Sequence, residues 1–164
     1  MTSLEIIDKY CAGNEPLRAL LLHHSRQVLY KAMQACDRHP ELHIDRTLVE
    51  EGSLLHDIGI VMCDAPGIHC YGSYHYLYHG VAGARIMREL GREDIARICE
   101  RHTGTGLPGL EPETLEEQIV CYADKFYSKS KPDHVRTVAE AAQSLEKFGH
   151  EGVLKFLSWA ERFE

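Results

Sequence analysis

The 164-residue chain lacks several features that would place it in a specialised class of protein. No stretch is apolar enough to span a bilayer, and the N-terminus, Met1-Thr2-Ser3-Leu4-Glu5, lacks the basic start and apolar run of a signal peptide. The six cysteines form no C-x-x-C pair, and several lie in apolar helical runs, so buried free thiols are expected rather than disulfides. We therefore expect a cytoplasmic protein with no membrane partner.

The charge balance narrows the range of partners further. The formal net charge is -7, which argues against binding to a nucleic acid polymer or an anionic membrane. With 44% hydrophobic and 26% charged residues, the composition is that of a globular protein. There is no internal repeat, low-complexity tract or strand alternation, and the length suits one domain with a sizeable core. We expect residues 1–164 to form a single domain.

Apolar residues recur at three- and four-residue steps along most of the chain, which predicts an all-α helical bundle. The first two helices are expected over residues 4–12 and from a cap at Asn14 to Arg38. A third helix should start after Asp45 and end near Asp57, because Gly59 is a natural stop. The remaining expected boundaries are stops at Gly91, Gly104 and Gly149, caps at Thr114 and Asp133, and a last helix ending at Phe163.

The helical pattern breaks between residues 60 and 76. Asp64-Ala65-Pro66-Gly67 is turn chemistry, and a loop of this length in a compact domain is usually functional or mobile. We favour a lid over a substrate. A separate zinc site stays open as an alternative, because the loop holds zinc ligand types. These residues are Cys63, His69, Cys70, His75 and Tyr76.

The pair His56-Asp57 follows two apolar residues and carries the strongest chemical signal. A buried imidazole beside a buried carboxylate is costly unless something satisfies both, and a metal ion does so. Each of the other inward polar residues, taken alone, is more often a hydrogen-bonded core residue or a helix-end group. In a bundle, however, facing helices can converge such groups on one interior point. These further residues are His24, His79, His102 and Asp124.

Three segments in this order resemble the HD superfamily of metal-dependent phosphohydrolases: His24-Ser25, His56-Asp57-Ile58-Gly59 and Tyr122-Ala123-Asp124-Lys125. The resemblance covers about residues 17–130, with the helices of residues 133–163 expected to pack on that core. His79-Gly80-Val81-Ala82-Gly83-Ala84 and Arg101-His102-Thr103-Gly104-Thr105-Gly106 resemble the extra histidine segments of dinuclear HD proteins. Bacterial diadenosine-tetraphosphate hydrolases have similar segments, although the match is better to uncharacterised small HD proteins.

The resemblance implies two metal sites that share one carboxylate. His24, His56, Asp57 and Asp124 would hold the first metal, and Asp57, His79 and His102 the second, with Asp57 bridging. Such an imidazole-rich set suits transition metals, with two iron ions as the first expectation and Mn, Co, Ni or Zn as alternatives. A metal-bridging hydroxide would attack a small phosphorylated, nucleotide-like substrate. The alternatives are a di-iron oxygenase of the HD type and a non-catalytic ligand sensor.

The expected catalytic residues are Asp57 and Lys125. Many HD phosphohydrolases follow the histidine-aspartate doublet with Ile-Gly-Lys, whose lysine can contact phosphate, but this chain has Ile60 at that position. Other cations must then take that role, with Lys125, Arg101, Arg85 and Lys129 as candidates. Substrate contacts are expected from Arg101, Thr103, His75 and Tyr76, and Tyr74, Tyr76 and Tyr78 are candidates for stacking on a base. A homodimer stays open as the oligomeric state.

Overall fold

The computed structural model describes residues 1–104 and 108–164, so Thr105 and Gly106 of the histidine segment lie outside the described residues. The described part is built from α-helices with two very short hairpins, which confirms the predicted all-α class. No helix in it has the length and apolar character needed to cross a membrane. The helices are α1 Ser3–Tyr10, α2 Glu15–Arg38, α3 Arg46–Leu55, α4 His79–Glu89, α5 Glu93–Arg101, α6 Leu115–Asp124, α7 Val138–Leu145 and α8 His150–Phe163.

Helix starts follow the capping residues that the sequence offers. Asn14 caps α2, since its side chain accepts a hydrogen bond from the backbone N–H of Leu17. Asp45 does the same for α3 through the N–H of Leu48. Thr114 opens α6 as a capping box. These three predicted starts are confirmed.

Two short hairpins interrupt the helices, and the expectation of a helix capped at Asp133 is wrong. Strands β1 Asp64–Ala65 and β2 Cys70–Tyr71 form one antiparallel hairpin, and β3 Tyr127–Ser128 and β4 Lys131–Val135 form another. Asp133 lies within β4. The cap of α7 is Thr137, whose hydroxyl accepts from the N–H of Glu140 while the Glu140 carboxylate accepts from the N–H of Thr137. The Thr-x-x-Glu capping box fixes this start four residues later than expected.

The buried apolar residues form two clusters that meet along α2. One cluster contains Leu21 and Leu22 of α2 together with residues of α1, α3, α4 and α5. The other contains Val28 of α2 with residues of α6, α7 and α8, so the two C-terminal helices pack on the rest of the bundle. His24 lies between these two stretches of α2 and is itself buried. Polar side chains can therefore lie in the interior at the boundary between the two apolar clusters.

Glycines allow α4 to approach its neighbours closely enough to bring the histidine segments together. A Cβ atom on Gly59 would lie 1.9 Å from the carbonyl oxygen of His79 and 2.3 Å from the backbone nitrogen of Gly83. A Cβ atom on Gly80 would lie 2.6 Å from the carbonyl oxygen of Cys99. Since these neighbours are backbone atoms, they cannot rotate away. The glycines thus set the distance between α4, α5 and the segment that follows Asp57.

We predict that Gly59→Ala destabilises the protein by roughly 1–3 kcal/mol, because the added methyl group meets fixed backbone. The melting temperature should fall by roughly 2–12 °C for a domain of this size. Gly67→Ala is the matched control, since a Cβ atom there meets nothing within 4 Å. Melting curves followed by circular dichroism measure both variants. Equal melting temperatures for the two variants would show that α4 can move away without loss.

Candidate metal centre

Helix ends place most of the predicted ligands. His24 lies within α2, whereas His56 follows the last residue of α3 and precedes Asp57. His79 is the first residue of α4, His102 follows α5, and Asp124 is the last residue of α6. Because a helix end leaves backbone groups without partners inside the helix, a side chain there has a carbonyl or N–H within reach. All six residues converge on one interior region.

The first group contains His24, His56, Asp57 and Asp124, whose donor atoms all lie within 4.8 Å of one another. The His24 Nε2 atom is 3.1 Å from Asp57 Oδ2 and 2.9 Å from Asp124 Oδ1. The His56 Nε2 atom is 3.2 Å from Asp57 Oδ2 and 3.3 Å from Asp124 Oδ1. Two imidazoles and two carboxylates therefore face one point.

The second group contains Asp57, His79 and His102. The other carboxylate oxygen of Asp57, Oδ1, is 3.3 Å from His79 Nε2 and 3.1 Å from His102 Nε2. Asp57 thus turns one oxygen toward each group. This is the arrangement expected of a carboxylate that bridges two cations.

The donor chemistry of both groups fits metal ions. Among the described residues, both carboxylate oxygens of Asp57 and the Nε2 atom of His56 are buried and have no partner in hydrogen-bond geometry, although charged groups lie close to them. His79 and His102 have their Nε2 atoms 3.1 Å apart, while the Nδ1–H of each ring donates to a carbonyl. In neutral rings these Nε2 atoms are both acceptors, and two facing lone pairs need a cation between them. The residues could therefore hold two metals.

Backbone carbonyls fix the orientation of three of these rings. The Nδ1–H groups of His56, His79 and His102 donate to the carbonyl oxygens of Ser53, Tyr76 and Cys99 at 2.7, 2.6 and 2.6 Å. Such a bond leaves Nε2 free to bind a metal and sets the ring plane. The sequence predicts a partner of this kind for all four histidines. For His24 Nδ1 none is found within the described ranges.

The electrostatics keep both carboxylates ionised. Burial raises the pKa of Asp57, but the charges of His56 and Lys129 outweigh burial and hold this pKa well below its usual range. Burial also acts against ionised Asp124, whose pKa Lys125 and His24 nevertheless hold well below its usual range. Burial lowers the pKa of His102 to about 4. The site therefore offers two anionic ligands and a neutral imidazole at neutral pH.

Two lysines contact the ligands directly. The Lys125 ammonium donates to the carbonyl oxygen of His102 at 2.7 Å and to Asp124 Oδ2 at 3.2 Å. The Lys129 ammonium lies 2.7 Å from Asp57 Oδ2, and its side chain is only 13% exposed. The sequence named Lys129 only among several candidate cations. Its position in the turn between β3 and β4 could not be anticipated, because a strand pair was not expected there.

The four predicted substrate-binding residues lie in different surroundings. The Arg101 guanidinium donates to the Glu111 carbonyl oxygen at 2.6 Å and pairs with the Glu113 carboxylate at 2.9 Å. Thr103 lines a cavity of about 600 Å³ together with Lys125, and no metal ligand lines that cavity. His75 is exposed, and its Nδ1 accepts from the N–H of Leu77. Tyr76 is half-buried, with its ring stacked on that of His79 at 4.4 Å between centroids.

A second cavity, of about 500 Å³, reaches two of the predicted metal ligands. His24 and Asp124 lie on its wall, as do Tyr76 and parts of the loop of residues 60–76. Arg136, which the sequence analysis did not single out, also lines it. Four residues of the β3–β4 hairpin complete this wall: Tyr127, Ser128, Lys129 and Ser130. The loop thus borders the space next to the ligands.

The loop itself shows no separate metal cluster in the part of the chain that the structure describes, where the only two groups of at least three close ligand atoms share Asp57. Cys63 and Cys70 are buried free thiols, as expected for the cysteines of this chain. Burial raises the pKa of Cys70 to about 11, which disfavours the thiolate that zinc would need. The zinc alternative for the loop therefore gains no support.

Residues 21–128 match the sequence model of the HD domain family, and the chain belongs to this family. The match covers the histidine segments, the His56-Asp57 doublet and Asp124. The predicted superfamily is therefore confirmed.

Two curated relatives come from archaea. The chain is 35% identical to a tRNA (cytidine(56)-2'-O)-methyltransferase of Picrophilus torridus over 125 residues, which cover 68% of this chain and 33% of that protein. It is 41% identical to an uncharacterised protein of Methanocaldococcus jannaschii over 101 residues, 54% of this chain and 53% of that protein. The chain thus spans about a third and about half of the length of these relatives.

A solved structure has the same fold at low sequence identity. The HD domain of the L. monocytogenes phosphodiesterase PgpH, in complex with cyclic-di-AMP, superposes with a TM-score of 0.62 and 19% identity. The match covers 97% of this chain and 85% of that one. At this identity the likeness establishes the fold.

We predict that His79→Ala removes one metal equivalent and keeps the other, since His79 belongs only to the second group. Asp57→Ala should remove both, because its carboxylate serves both groups. His23→Ala is the matched control, since its side chain is exposed one residue away from His24. Metal content is measured by elemental analysis of protein purified without oxygen. Retention of two equivalents by the His79 variant would refute the assignment of this ligand.

Proposed function

We propose that the protein is a metal-dependent phosphohydrolase that acts on a small phosphorylated, nucleotide-like compound. The observation that carries this proposal is the buried Asp57 carboxylate, which turns one oxygen toward each of two groups of imidazole nitrogens. Membership of the HD domain family supports it. Both a phosphomonoesterase and a phosphodiesterase or nucleotide hydrolase fit this reaction class.

The proposed cofactor is a pair of divalent transition-metal ions, with iron first and Mn, Co, Ni or Zn as alternatives. Four imidazoles and two carboxylates suit these metals better than Mg, which favours oxygen ligands. Bound at both groups, two such ions would lower the pKa of a water molecule and neutralise charge on a phosphoryl group. His24, His56 and Asp124 would hold the first ion, His79 and His102 the second, and Asp57 both.

The side chains around the ligands have distinct proposed roles. Lys125, which bonds both Asp124 and the backbone carbonyl of His102, orients two ligands that belong to different metal groups. Tyr76 covers one face of the His79 ring and lines the substrate cavity. Arg101, Thr103 and His75 remain predicted substrate contacts. Arg101 would have to release its bonds to Glu111 and Glu113 to make one.

The proposed substrate is small because the cavity beside the ligands measures about 500 Å³, within the range of small-molecule pockets. The net charge of -7 disfavours a nucleic acid polymer as partner. The PgpH HD domain, which has this fold, was solved with the small phosphorylated ligand cyclic-di-AMP. The methyltransferase name of the Picrophilus relative gives no support to methyl transfer, since the chain spans about a third of that protein.

We predict that the metal-loaded protein releases phosphate or a nucleotide from a member of a panel of phosphomonoesters, phosphodiesters and phosphoanhydrides. Asp57→Asn should lower this turnover at least about a thousandfold, because bound metals supply several kcal/mol of transition-state stabilisation. Asp64→Asn is the control, since this exposed carboxylate belongs to neither metal group. Product release is measured by chromatography and a colorimetric phosphate assay.

The alternatives give different results in the same experiment. An oxygenase would release no phosphate from the panel but would consume oxygen with an organic substrate while its iron changes redox state. A sensor would bind a ligand without turnover. Either result, obtained with protein that contains two metal equivalents, would replace the hydrolase proposal.

A further inference from the structure

The β3–β4 hairpin, rather than the segment that follows the doublet, brings positive charge to the shared carboxylate of Asp57. Residues 58–62 after Asp57 are all apolar or glycine, and Ile58 and Ile60 are fully buried. Lys129, in the turn between β3 and β4, has its ammonium 2.7 Å from Asp57 Oδ2. The cation nearest the shared carboxylate therefore comes from the hairpin, at a residue that also lines the cavity.

The contact between Lys129 and Asp57 competes with metal binding. The same Oδ2 atom lies 3.1 Å from His24 Nε2 and 3.2 Å from His56 Nε2. A divalent cation held by these imidazoles would use Oδ2 and would repel the ammonium. The flexible four-carbon side chain lets the ammonium of Lys129 move, and the side chain already lines the cavity. With both metals bound, the Lys129 ammonium would lose the Asp57 carboxylate as its partner. An anion that enters the cavity would then replace this carboxylate.

Arg136 supplies a second cation to the same cavity wall. Its guanidinium donates to the carbonyl oxygen of Lys125 at 3.1 Å, and its backbone N–H donates to the carbonyl oxygen of Phe126. These bonds fix Arg136 just after β4. Within residues 1–104 and 108–164 we find no carboxylate paired with it, although the arginines of α5 and its N-cap all pair with acidic residues. The hydroxyls of Ser128 and Ser130 lie on the same wall.

We propose that Lys129 and Arg136 bind two adjacent phosphate groups of one substrate, so that the preferred substrate class is a phosphoanhydride. This inference rests on the proposed function. Lys129 takes the phosphoryl group next to the metal ligands, and Arg136 takes the neighbouring phosphate. A water oxygen bonds to the first phosphorus and the bond from that phosphorus to the bridging oxygen breaks. The departing phosphate keeps the bridging oxygen with its electron pair and takes up the proton that the water gives up. A monoester of an uncharged alcohol would leave Arg136 without a partner.

Two anions test the two cations separately. Inorganic phosphate and methylenediphosphonate, a diphosphate analogue that is not hydrolysed, are titrated into the metal-loaded protein by calorimetry. We expect wild type to bind the diphosphonate at least about tenfold more tightly than phosphate, since a second charged hydrogen-bond site is used. Arg136→Gln should abolish this preference and leave phosphate binding unchanged. Lys129→Gln should weaken both anions by about 10- to 100-fold.

Lys131→Gln is the matched control, because Lys131 lies exposed on the same hairpin and does not line this cavity. It should change neither affinity. Metal content and melting temperature are measured for every variant after titration. Lys129→Arg and Arg136→Lys keep the positive charge and serve as second variants should either glutamine variant fail to fold. Lys129→Arg should bind phosphate more tightly than Lys129→Gln, and Arg136→Lys should bind the diphosphonate more tightly than Arg136→Gln. Where a glutamine variant does not fold, the corresponding charge-conserving variant should retain measurable affinity.

Each contrary outcome identifies the step that is wrong. Loss of metal from a folded Lys129→Gln variant would make Lys129 a counter-ion of Asp57 and overturn its proposed role. Equal wild-type affinities for the two anions would overturn the preference for a phosphoanhydride. If wild-type protein releases phosphate from the panel but Lys129→Gln and Arg136→Gln bind both anions as wild type does, this inference alone is refuted. Metal-loaded wild type that binds neither anion and hydrolyses nothing would refute the proposed function as well.

Discussion

The structure depends on one buried carboxylate. Asp57 has no exposed surface, and an ionised carboxylate in such a position is tolerated only when it is paired or coordinated. Four imidazole Nε2 atoms and the Lys129 ammonium surround its two oxygens at 2.7 to 3.3 Å. Helices α2, α4 and α5, the end of α3 and the β3–β4 hairpin must all reach this point. The arrangement of the bundle follows from that requirement as much as from its apolar clusters.

One local device orients three of the four imidazoles. His56, His79 and His102 each donate from Nδ1 to the carbonyl oxygen of the residue three positions earlier. His56 and His102 directly follow the last residues of α3 and α5, where backbone carbonyls lack partners inside the helix. A single bond therefore satisfies a backbone carbonyl, fixes a tautomer and directs Nε2 inward. His24 lies within a helix, where carbonyls are already used, and among the described residues its ring is held only through Nε2.

The sequence predicted most of the helices and the residues that converge around Asp57 because both depend on local signals. Caps such as Asn14 and Thr114 act within one helical turn, and each ligand marks an inward face or a helix end. The β3–β4 hairpin was missed because β3 has only two residues and all five residues of β4 are exposed, so neither strand shows an alternation of apolar and polar residues. Arg101 shows a different limit. Adjacent residues at the end of a helix point in different directions, so the side chain beside His102 turns toward Glu111 and Glu113.

The two half-buried lysines near the centre show how position decides the use of a charge. Lys125 lies next to Asp124 in the chain, and its ammonium is held by that carboxylate and by a backbone carbonyl. Its charge is therefore already paired with groups of the predicted metal site. Lys129 is five residues away from Asp124, on a turn, and its ammonium contacts a carboxylate oxygen that a metal would also claim. In a chain with a net charge of -7, long-range attraction of the proposed anionic substrate would be absent, so its recognition would depend on cations that metal binding leaves available inside the cavity.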